Sequence, residues 1–154
     1  MAGSNDTVNE VFSSQKKRTR NTIILFLVIV VGMMVYSSLT GAGSIEIAID
    51  SKAVGVSGPE SMVNIILFDD ITDVELMEEF AVGEAVEAVE SDNTYLGTYQ
   101  NEQLGEYTII AYQKCSSMIA VTTAEGVFVF NSSTASRTQE YYTALVEAIE
   151  AYYE

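Results

Sequence analysis

Carboxylates are abundant in this sequence, and any chemistry it performs would have to begin with them. The stretch DDITD sets Asp69, Asp70 and Asp73 close together, and carboxylate oxygens are ligands that Ca²⁺ prefers. The twelve-residue loop pattern of a calcium site is missing, so the spacing favours a solvated acidic surface over a metal site. A pair of carboxylates also serves in glycosidases, but those enzymes need a deep cleft in a larger fold.

The other reactive residues argue against catalysis. The sequence has no histidine and a single cysteine, Cys115, so it lacks the base of a serine or cysteine triad and the ligands of a zinc site. It also lacks a glycine-rich phosphate loop. Cys115 lies beside Lys114 in a polar turn, which leaves an unpaired thiol without a role or, alternatively, a bridge to another chain. We therefore expect no enzyme activity, no catalytic residue, no cofactor and no metal.

The charge is strongly negative and unevenly distributed. The whole chain carries a formal charge of -15. Beyond Gly41, three basic residues stand against twenty acidic ones, a balance of -17. Such a surface repels phosphate groups, so we expect this region to bind neither nucleic acid nor anionic lipid headgroups.

An apolar run separates this acidic region from a basic N-terminal segment. Residues 22–39 contain no charged side chain, and as a helix they would span about 27 Å, close to the hydrocarbon thickness of a bilayer. Four cations lie just before the run, within residues 16–20, and the positive-inside rule keeps them in the cytoplasm. The sequence thus predicts a flexible cytoplasmic tail over 1–21, a transmembrane helix over 22–39 that contacts the lipid bilayer, and an exported domain over 43–153.

The predicted membrane anchor has one alternative, which is removal after export. The small residues of SSLTGAG, 37–43, suit a signal peptidase, and a secretory signal also joins a basic segment to an apolar core. The basic segment here is long, however, and the apolar run is at the upper length limit for such a signal. These features favour a retained, single-pass anchor in the cytoplasmic membrane over cleavage and secretion.

The exported region is predicted to be rich in β-strands. Apolar and polar residues alternate in short runs separated by turn residues, a pattern typical of antiparallel strands. The predicted strands cover residues 43–50, 53–58, 63–68, 71–77, 95–100, 106–112, 118–123 and 127–130. The last four are expected to form a meander, and 127–130, apolar on both faces, to be covered on both sides. Residues 71–77 could also begin a helix, and 78–93 fit either a helix or a loop.

The chain ends in a predicted amphipathic helix. Ser136 followed by Gln139 fits a capping box at its start. Apolar residues recur along it at three- and four-residue steps and form a stripe: Tyr142, Leu145, Val146, Ile149 and Tyr153. The stripe is expected to pack on the domain's own sheet, and the alternative is a surface for a partner.

Several short motifs stand within residues 44–152: Asp69–Met77, Gly97–Tyr99, Leu104–Gly105, Tyr107, Gly126–Phe130 and the closing helix. With their short strands followed by one terminal helix, they resemble the bacterial pleckstrin-homology-like (PH-like) domain of small membrane-anchored proteins. The resemblance implies a mainly β, α+β fold: a half-open antiparallel β-barrel or sandwich capped by a C-terminal amphipathic helix, without catalytic activity. Lipid-reading PH domains carry a basic cluster between their first two strands, where this chain has only Lys52. We therefore expect no phosphoinositide binding.

These observations predict a single-pass, non-enzymatic membrane protein that displays an acidic PH-like domain outside the cytoplasmic membrane. Its partner is expected to be a protein or peptide. A free sheet edge, or the groove beside the terminal helix, would receive this partner, by strand addition for instance. The alternative is a cleaved, secreted domain that captures a small ligand in the mouth of the barrel.

Overall fold

The computed structural model describes Leu27, Val28, Val31, Gly32 and residues 44–154. The chain divides into two compact units, Met1–Leu39 and Thr40–Glu154, and the architecture below is that of the second. The predicted tail over 1–21 and most of the predicted transmembrane helix over 22–39 lie outside the described residues. Within the part of the chain that is described, no helix is both long enough and apolar enough to cross a bilayer.

Residues 44–154 form nine strands and one C-terminal helix, Ala135–Tyr153. The strands are β1 (Glu46–Ile49), β2 (Ala53–Ser57), β3 (Val63–Leu67), β4 (Ile71–Met77), β5 (Glu84–Val89), β6 (Thr94–Asn101), β7 (Gly105–Tyr112), β8 (Met118–Thr123) and β9 (Gly126–Phe130). A short 3₁₀ turn, Phe68–Asp70, joins β3 to β4. All the predicted strands are confirmed, and their boundaries differ by three residues or fewer.

The strands form two sheets. β1, β2 and β3 make a three-stranded antiparallel sheet, and the other six strands are ordered β4-β8-β9-β7-β6-β5. β4 and β5 are the two edges of the larger sheet and do not pair with each other, so the strands do not close into one barrel. The mainly β, α+β class is confirmed, with two sheets and one C-terminal helix in the described domain.

The predicted meander in the last third of the chain is wrong at one junction. β6–β7 and β8–β9 are antiparallel pairs as expected, but β9 lies between β8 and β7 and runs parallel to β7. The buried side chain of Asn131 sits at this junction. It accepts a hydrogen bond from Tyr112 N–H (2.7 Å) and donates to the carbonyl oxygens of Tyr112 (3.2 Å) and Cys115 (3.0 Å). These bonds fix the chain that leaves β7 beside the end of β9.

One hydrophobic core, called the first core, lies between the two sheets and the helix. Phe128 and Phe130 stack there with ring centroids 5.6 Å apart, and Leu145 brings the helix onto them. The first core also holds Val54, Val56, Phe68, Leu96, Ile110 and Ile119. Burying each large apolar side chain contributes about 1.5–3 kcal/mol, so this core holds the helix on the sheets.

A second core covers the opposite face of the six-stranded sheet. It contains Met77, Phe80, Tyr107, Ile109, Met118 and Val129. β9 serves both cores, because Phe128 and Phe130 face the first and Val129 faces the second. The prediction that residues 127–130 are covered on both sides is confirmed.

A segment without regular structure, Glu78–Gly83, lies over the second core and is called the strap. It connects β4 at one edge of the sheet with β5 at the other, and it inserts the buried ring of Phe80. The N–H of Phe80 donates to the carbonyl oxygen of Ser116 at 3.0 Å. Near its other end, the Tyr107 hydroxyl donates to the carbonyl oxygen of Val82. The strap is thus fastened to the sheet at both ends.

Part of the segment predicted as either helix or loop is a strand. Residues 78–83 are irregular, but β5 pairs with β6 in antiparallel register, with one irregularity between Ala85 and Glu87. Alanine and glutamate favour a helix locally. Pairing with the edge of β6, which no local pattern records, outweighs that preference. Every residue of β5 is exposed, so both of its faces are open.

The C-terminal helix begins at a different cap from the predicted one. Thr134 is the N-cap, and its hydroxyl accepts a hydrogen bond from Arg137 N–H at 3.2 Å. Ser136 and Gln139 lie inside the helix, so the predicted capping box is wrong. Thr134 is the cap because its backbone is extended, as an N-cap requires, whereas Ser136 already lies within the helix.

Candidate functional site

The six-stranded sheet has two free edges, β4 and β5. The outward backbone N–H and C=O groups of an edge strand form a template for pairing with another chain. The two edges differ in their surroundings, because the C-terminal helix contacts β4 while all of β5 is exposed. The edge beside the helix therefore offers both backbone hydrogen bonds and a side-chain surface.

A groove of about 390 Å³ runs between β4 and the C-terminal helix and is called the β4–helix groove. Its lining comes from the start of β4 and from one face of the helix: Ile71, Thr72, Asp73, Val74, Tyr142, Val146, Ile149, Glu150 and Tyr153. The helical members recur at three- and four-residue steps, which places them on one face. The volume falls in the range of ordinary ligand sites, roughly 300–1,000 Å³.

The walls of the groove are fixed by contacts beneath them. Val74 and Ile149 are half-buried and pack against the first core, and Leu145, fully buried, anchors the helix. The Tyr153 hydroxyl donates a hydrogen bond of 3.1 Å to the carbonyl oxygen of Phe68 and so fastens the last turn of the helix. The groove is therefore formed before anything binds, which reduces the entropy cost of binding.

The predicted helical stripe divides between the core and this groove. Leu145 packs entirely inside, as expected for a stripe that faces the domain's own sheet. Val146 and Tyr153 line the groove instead, and Tyr153 is 62% exposed. Tyr152 takes the inner position, where its ring meets Phe68 edge to face at 5.8 Å.

The groove is acidic. Two of its lining residues, Asp73 on β4 and Glu150 on the helix, are exposed and acidic, and none of the lining residues is basic. Just beyond the groove, a hydrogen bond with the Asp69 carboxylate, reinforced by burial of the ring, raises the pKa of Tyr152. Asp69, Asp73 and Glu150 are all exposed to solvent.

The three aspartates of the DDITD stretch do not converge on one point. Asp69 and Asp70 lie in the 3₁₀ turn and Asp73 lies on β4. Among residues 44–154, no group of three acidic, histidine or cysteine side chains is close enough to hold a metal ion. All three aspartates are exposed, and Asp73 is among the residues that line the groove.

Cys115 was predicted in a polar turn, and its side chain is only 5% exposed. Its Sγ lies 3.6 Å from the carbonyl oxygen of Ser117 and 3.8 Å from the Oγ1 of Thr138, at the start of the helix. A disulfide to another chain would require this thiol to reach the surface, so the structure favours the simple buried thiol.

Two other concave surfaces lie on the domain. One, of about 370 Å³, opens between β3 and the β8–β9 turn, and Asn64, Asp70, Thr108 and Glu125 are among its polar lining residues. The other, of about 580 Å³, lies at the start of β5 beside the β6–β7 turn. Neither combines a free sheet edge with a helix face, which is the particular property of the β4–helix groove.

Sequence patterns had marked both walls of this groove separately. The run 71–77 was predicted as a strand and the stripe 142–153 as an apolar helix face, but no local signal shows that the two are neighbours. The one clue in the sequence is the width of the helical stripe: Val146 and Tyr153 extend it beyond Leu145, so it is wider than the side of the helix that faces the core.

Comparison of the chain with known family models, with curated proteins and with solved structures gives no match.

Proposed function

We propose that this chain is a non-enzymatic, single-pass membrane protein whose acidic domain binds a protein partner outside the cytoplasmic membrane. The partner contributes an extended segment that pairs with β4 and lies in the β4–helix groove. One observation carries the proposal: the free edge of β4 and the exposed face of the C-terminal helix line the same groove.

Strand addition fits the dimensions of this site. β4 has seven residues, so an added strand of equal length would extend for about 23 Å. Its backbone would bond to the outward groups of β4, and alternate side chains would point into the groove. Main-chain bonds supply affinity in this mode, and the groove supplies selectivity.

The anchor and the orientation come from the N-terminal sequence. Residues 22–39 are free of charge and residues 16–20 hold four cations, which supports a membrane helix with its N-terminus in the cytoplasm. The resemblance to PH-like domains, with short strands before one closing helix, supports a binding module at the outer face. The charge of the domain opposes its lying flat on anionic lipid, so a protein partner fits better than a phosphoinositide.

The groove does not provide the groups for catalysis. Its reactive side chains are two carboxylates, one threonine hydroxyl and two phenols, and the chain has no histidine to act as their base. A binding role is therefore the better interpretation of this surface.

The second candidate function is capture of a small ligand by a cleaved, secreted form. The cavity of about 370 Å³ between β3 and the β8–β9 turn favours it, because it opens at the gap between the two sheets. Cell fractionation separates the candidates. An intact chain in the membrane fraction supports the anchored partner-binding protein, and a shortened chain in the medium supports the secreted one.

Site-specific cross-linking in cells tests the proposed docking site. A photoreactive amino acid replaces Thr72 in the groove or, as the matched control, Thr143 on the helix outside the groove lining. Both threonines are exposed and donate a hydrogen bond to a backbone carbonyl. A protein cross-linked at position 72 and not at 143 is the expected result, and equal products at the two positions would contradict it.

A reporter fused after Glu154 tests the topology. Activity outside the cytoplasm is expected if residues 16–20 remain inside. Activity confined to the cytosol would overturn the proposed location and, with it, the extracytoplasmic partner.

A further inference from the structure

We propose that the segment bound by the β4–helix groove alternates apolar and basic residues and belongs to another protein. This inference rests on the proposed function and adds the chemistry of the partner. It follows from which side chains of β4 point to each face of the sheet and from the charge around the groove.

The two faces of β4 differ in character. Val74 and Leu76 pack toward the first core, on the helix side, whereas Met77 belongs to the second core on the opposite side. Side chains alternate along a strand, so Asp73 and Glu75 share the face of Met77, and both are exposed. One face of β4 is therefore apolar and the other is acidic.

A strand added beside β4 would share these two environments. Its residues on the helix side would meet Val74, Val146 and Ile149, which favour apolar side chains. Its residues on the opposite side would stand next to Asp73 and Glu75. Opposite charges on neighbouring strands stabilise the pair, whereas like charges destabilise it. Lysine or arginine at every second position therefore complements this edge.

The charge balance of the domain excludes the domain itself as the source of the basic segment. Among residues 44–154, three cations face twenty acids, and no cation lines the groove. A second copy of the domain would bring the same charge of -17 to the contact. The chain's own basic segment, residues 16–20, lies across the membrane under the proposed topology, so the complement comes from another protein.

Peptide binding to the full-length chain in detergent micelles tests this inference. Two fluorescent seven-residue peptides, the length of β4, alternate valine with lysine or valine with glutamate, and a third peptide, of nine residues, reproduces residues 14–22. Fluorescence anisotropy gives each Kd. The valine–lysine peptide is expected to bind at least about tenfold more tightly than the valine–glutamate peptide. Its affinity should fall when salt rises from about 50 to about 300 mM, because the charges are exposed.

Charge-neutral variants locate the effect. Asp73→Asn with Glu75→Gln is expected to weaken the valine–lysine peptide about fivefold. The matched control, Glu84→Gln with Glu147→Gln, removes the same charge from β5 and from the helix outside the groove lining, and it should leave Kd within about twofold. Circular dichroism confirms that each variant remains folded.

Any other result of the peptide-binding experiment would overturn a defined part of the proposal. Equal affinity for the lysine and glutamate peptides overturns the basic partner but leaves the groove as a binding site. Absence of binding by any peptide overturns the proposed function as well. Tighter binding of the 14–22 peptide than of the valine–lysine peptide would make the chain's own tail the occupant and overturn the assignment to another protein.

Discussion

Removing either of two buried hydroxyl groups, those of Ser57 and Thr138, is expected to change the free energy of unfolding in opposite directions. Ser57 is 4% exposed, and its Oγ has no hydrogen-bond partner among the described residues. A buried hydroxyl without a partner costs about 1–3 kcal/mol. Ser57→Ala removes this group and only one non-hydrogen atom, so we expect it to raise the free energy of unfolding by about 1 kcal/mol.

Thr138 is the matched control, because its hydroxyl is equally buried but fully used. It donates to the carbonyl oxygen of Thr134 at 2.8 Å and accepts from Ser132 N–H at 3.1 Å. Thr138→Val keeps the shape of the side chain but leaves Ser132 N–H without its partner. We expect it to lower the free energy of unfolding by about 2 kcal/mol.

Urea unfolding of the compact unit Thr40–Glu154, followed by the near-ultraviolet circular dichroism of its tyrosines, measures both changes. The midpoint should rise for Ser57→Ala and fall for Thr138→Val, with an unchanged slope against urea. If Ser57→Ala lowered the free energy of unfolding by about 1 kcal/mol, the hydroxyl would have a partner in solution and the reasoning would be refuted.

The remaining predictions concern the strap and its contacts. Gly83 has φ of 81°, and a Cβ there would clash with the carbonyl oxygen of Gln100, so Gly83→Ala should lower the free energy of unfolding by about 3 kcal/mol. The control is Gly105→Ala: Gly105 has φ of 71° but lies in open space, so the change should cost about 1 kcal/mol. Similar losses of stability in the two variants would contradict the proposed clash at Gly83. Burial, with Tyr99 second, raises the pKa of Tyr107. The folded state therefore keeps this proton after the unfolded state loses it, so stability falls as pH rises above about 10. Tyr107→Phe should flatten that loss in unfolding curves between about pH 9 and 11, and an unchanged slope would count against it.

Local patterns predicted most of the strands but not their order. Alternation in 106–112 or 118–123 depends on neighbouring residues, so a short window of sequence reveals it. The parallel pairing of β7 with β9 joins residues about twenty positions apart, such as Tyr107 and Val127, and the three hydrogen bonds of Asn131 support it from outside both strands. The segment EAVEAV contains good helix formers, and only the free edge of β6 makes it a strand.

The sequence predicted the strand and the helix face that line the candidate site, but it did not predict that the two are neighbours. The strand 71–77 and the helical stripe each followed from periodicity. Their adjacency depends on the first core, where Leu145 and Phe68 bring the helix beside β4. The acidic stretch was correctly predicted to lie at the surface, since Asp69, Asp70 and Asp73 are all exposed, but the proximity of Asp69 to Tyr152 arises only once the helix has docked.

The strap also controls the curvature of the larger sheet. Seven peptide units separate Met77, the last residue of β4, from Glu84, the first residue of β5, and fully extended they reach about 25 Å. Five strand spacings of about 4.8 Å separate the two edges, which makes about 24 Å across the surface. The register also sets Glu84 level with Ile71, at the other end of β4 from Met77, which adds about 20 Å along the strands. In a flat sheet the two ends of the strap would be farther apart than it can reach, so the sheet must curve beneath it. Losing one residue would curl the sheet more tightly and gaining one would relax it, so its length sets how the edge of β4 is presented.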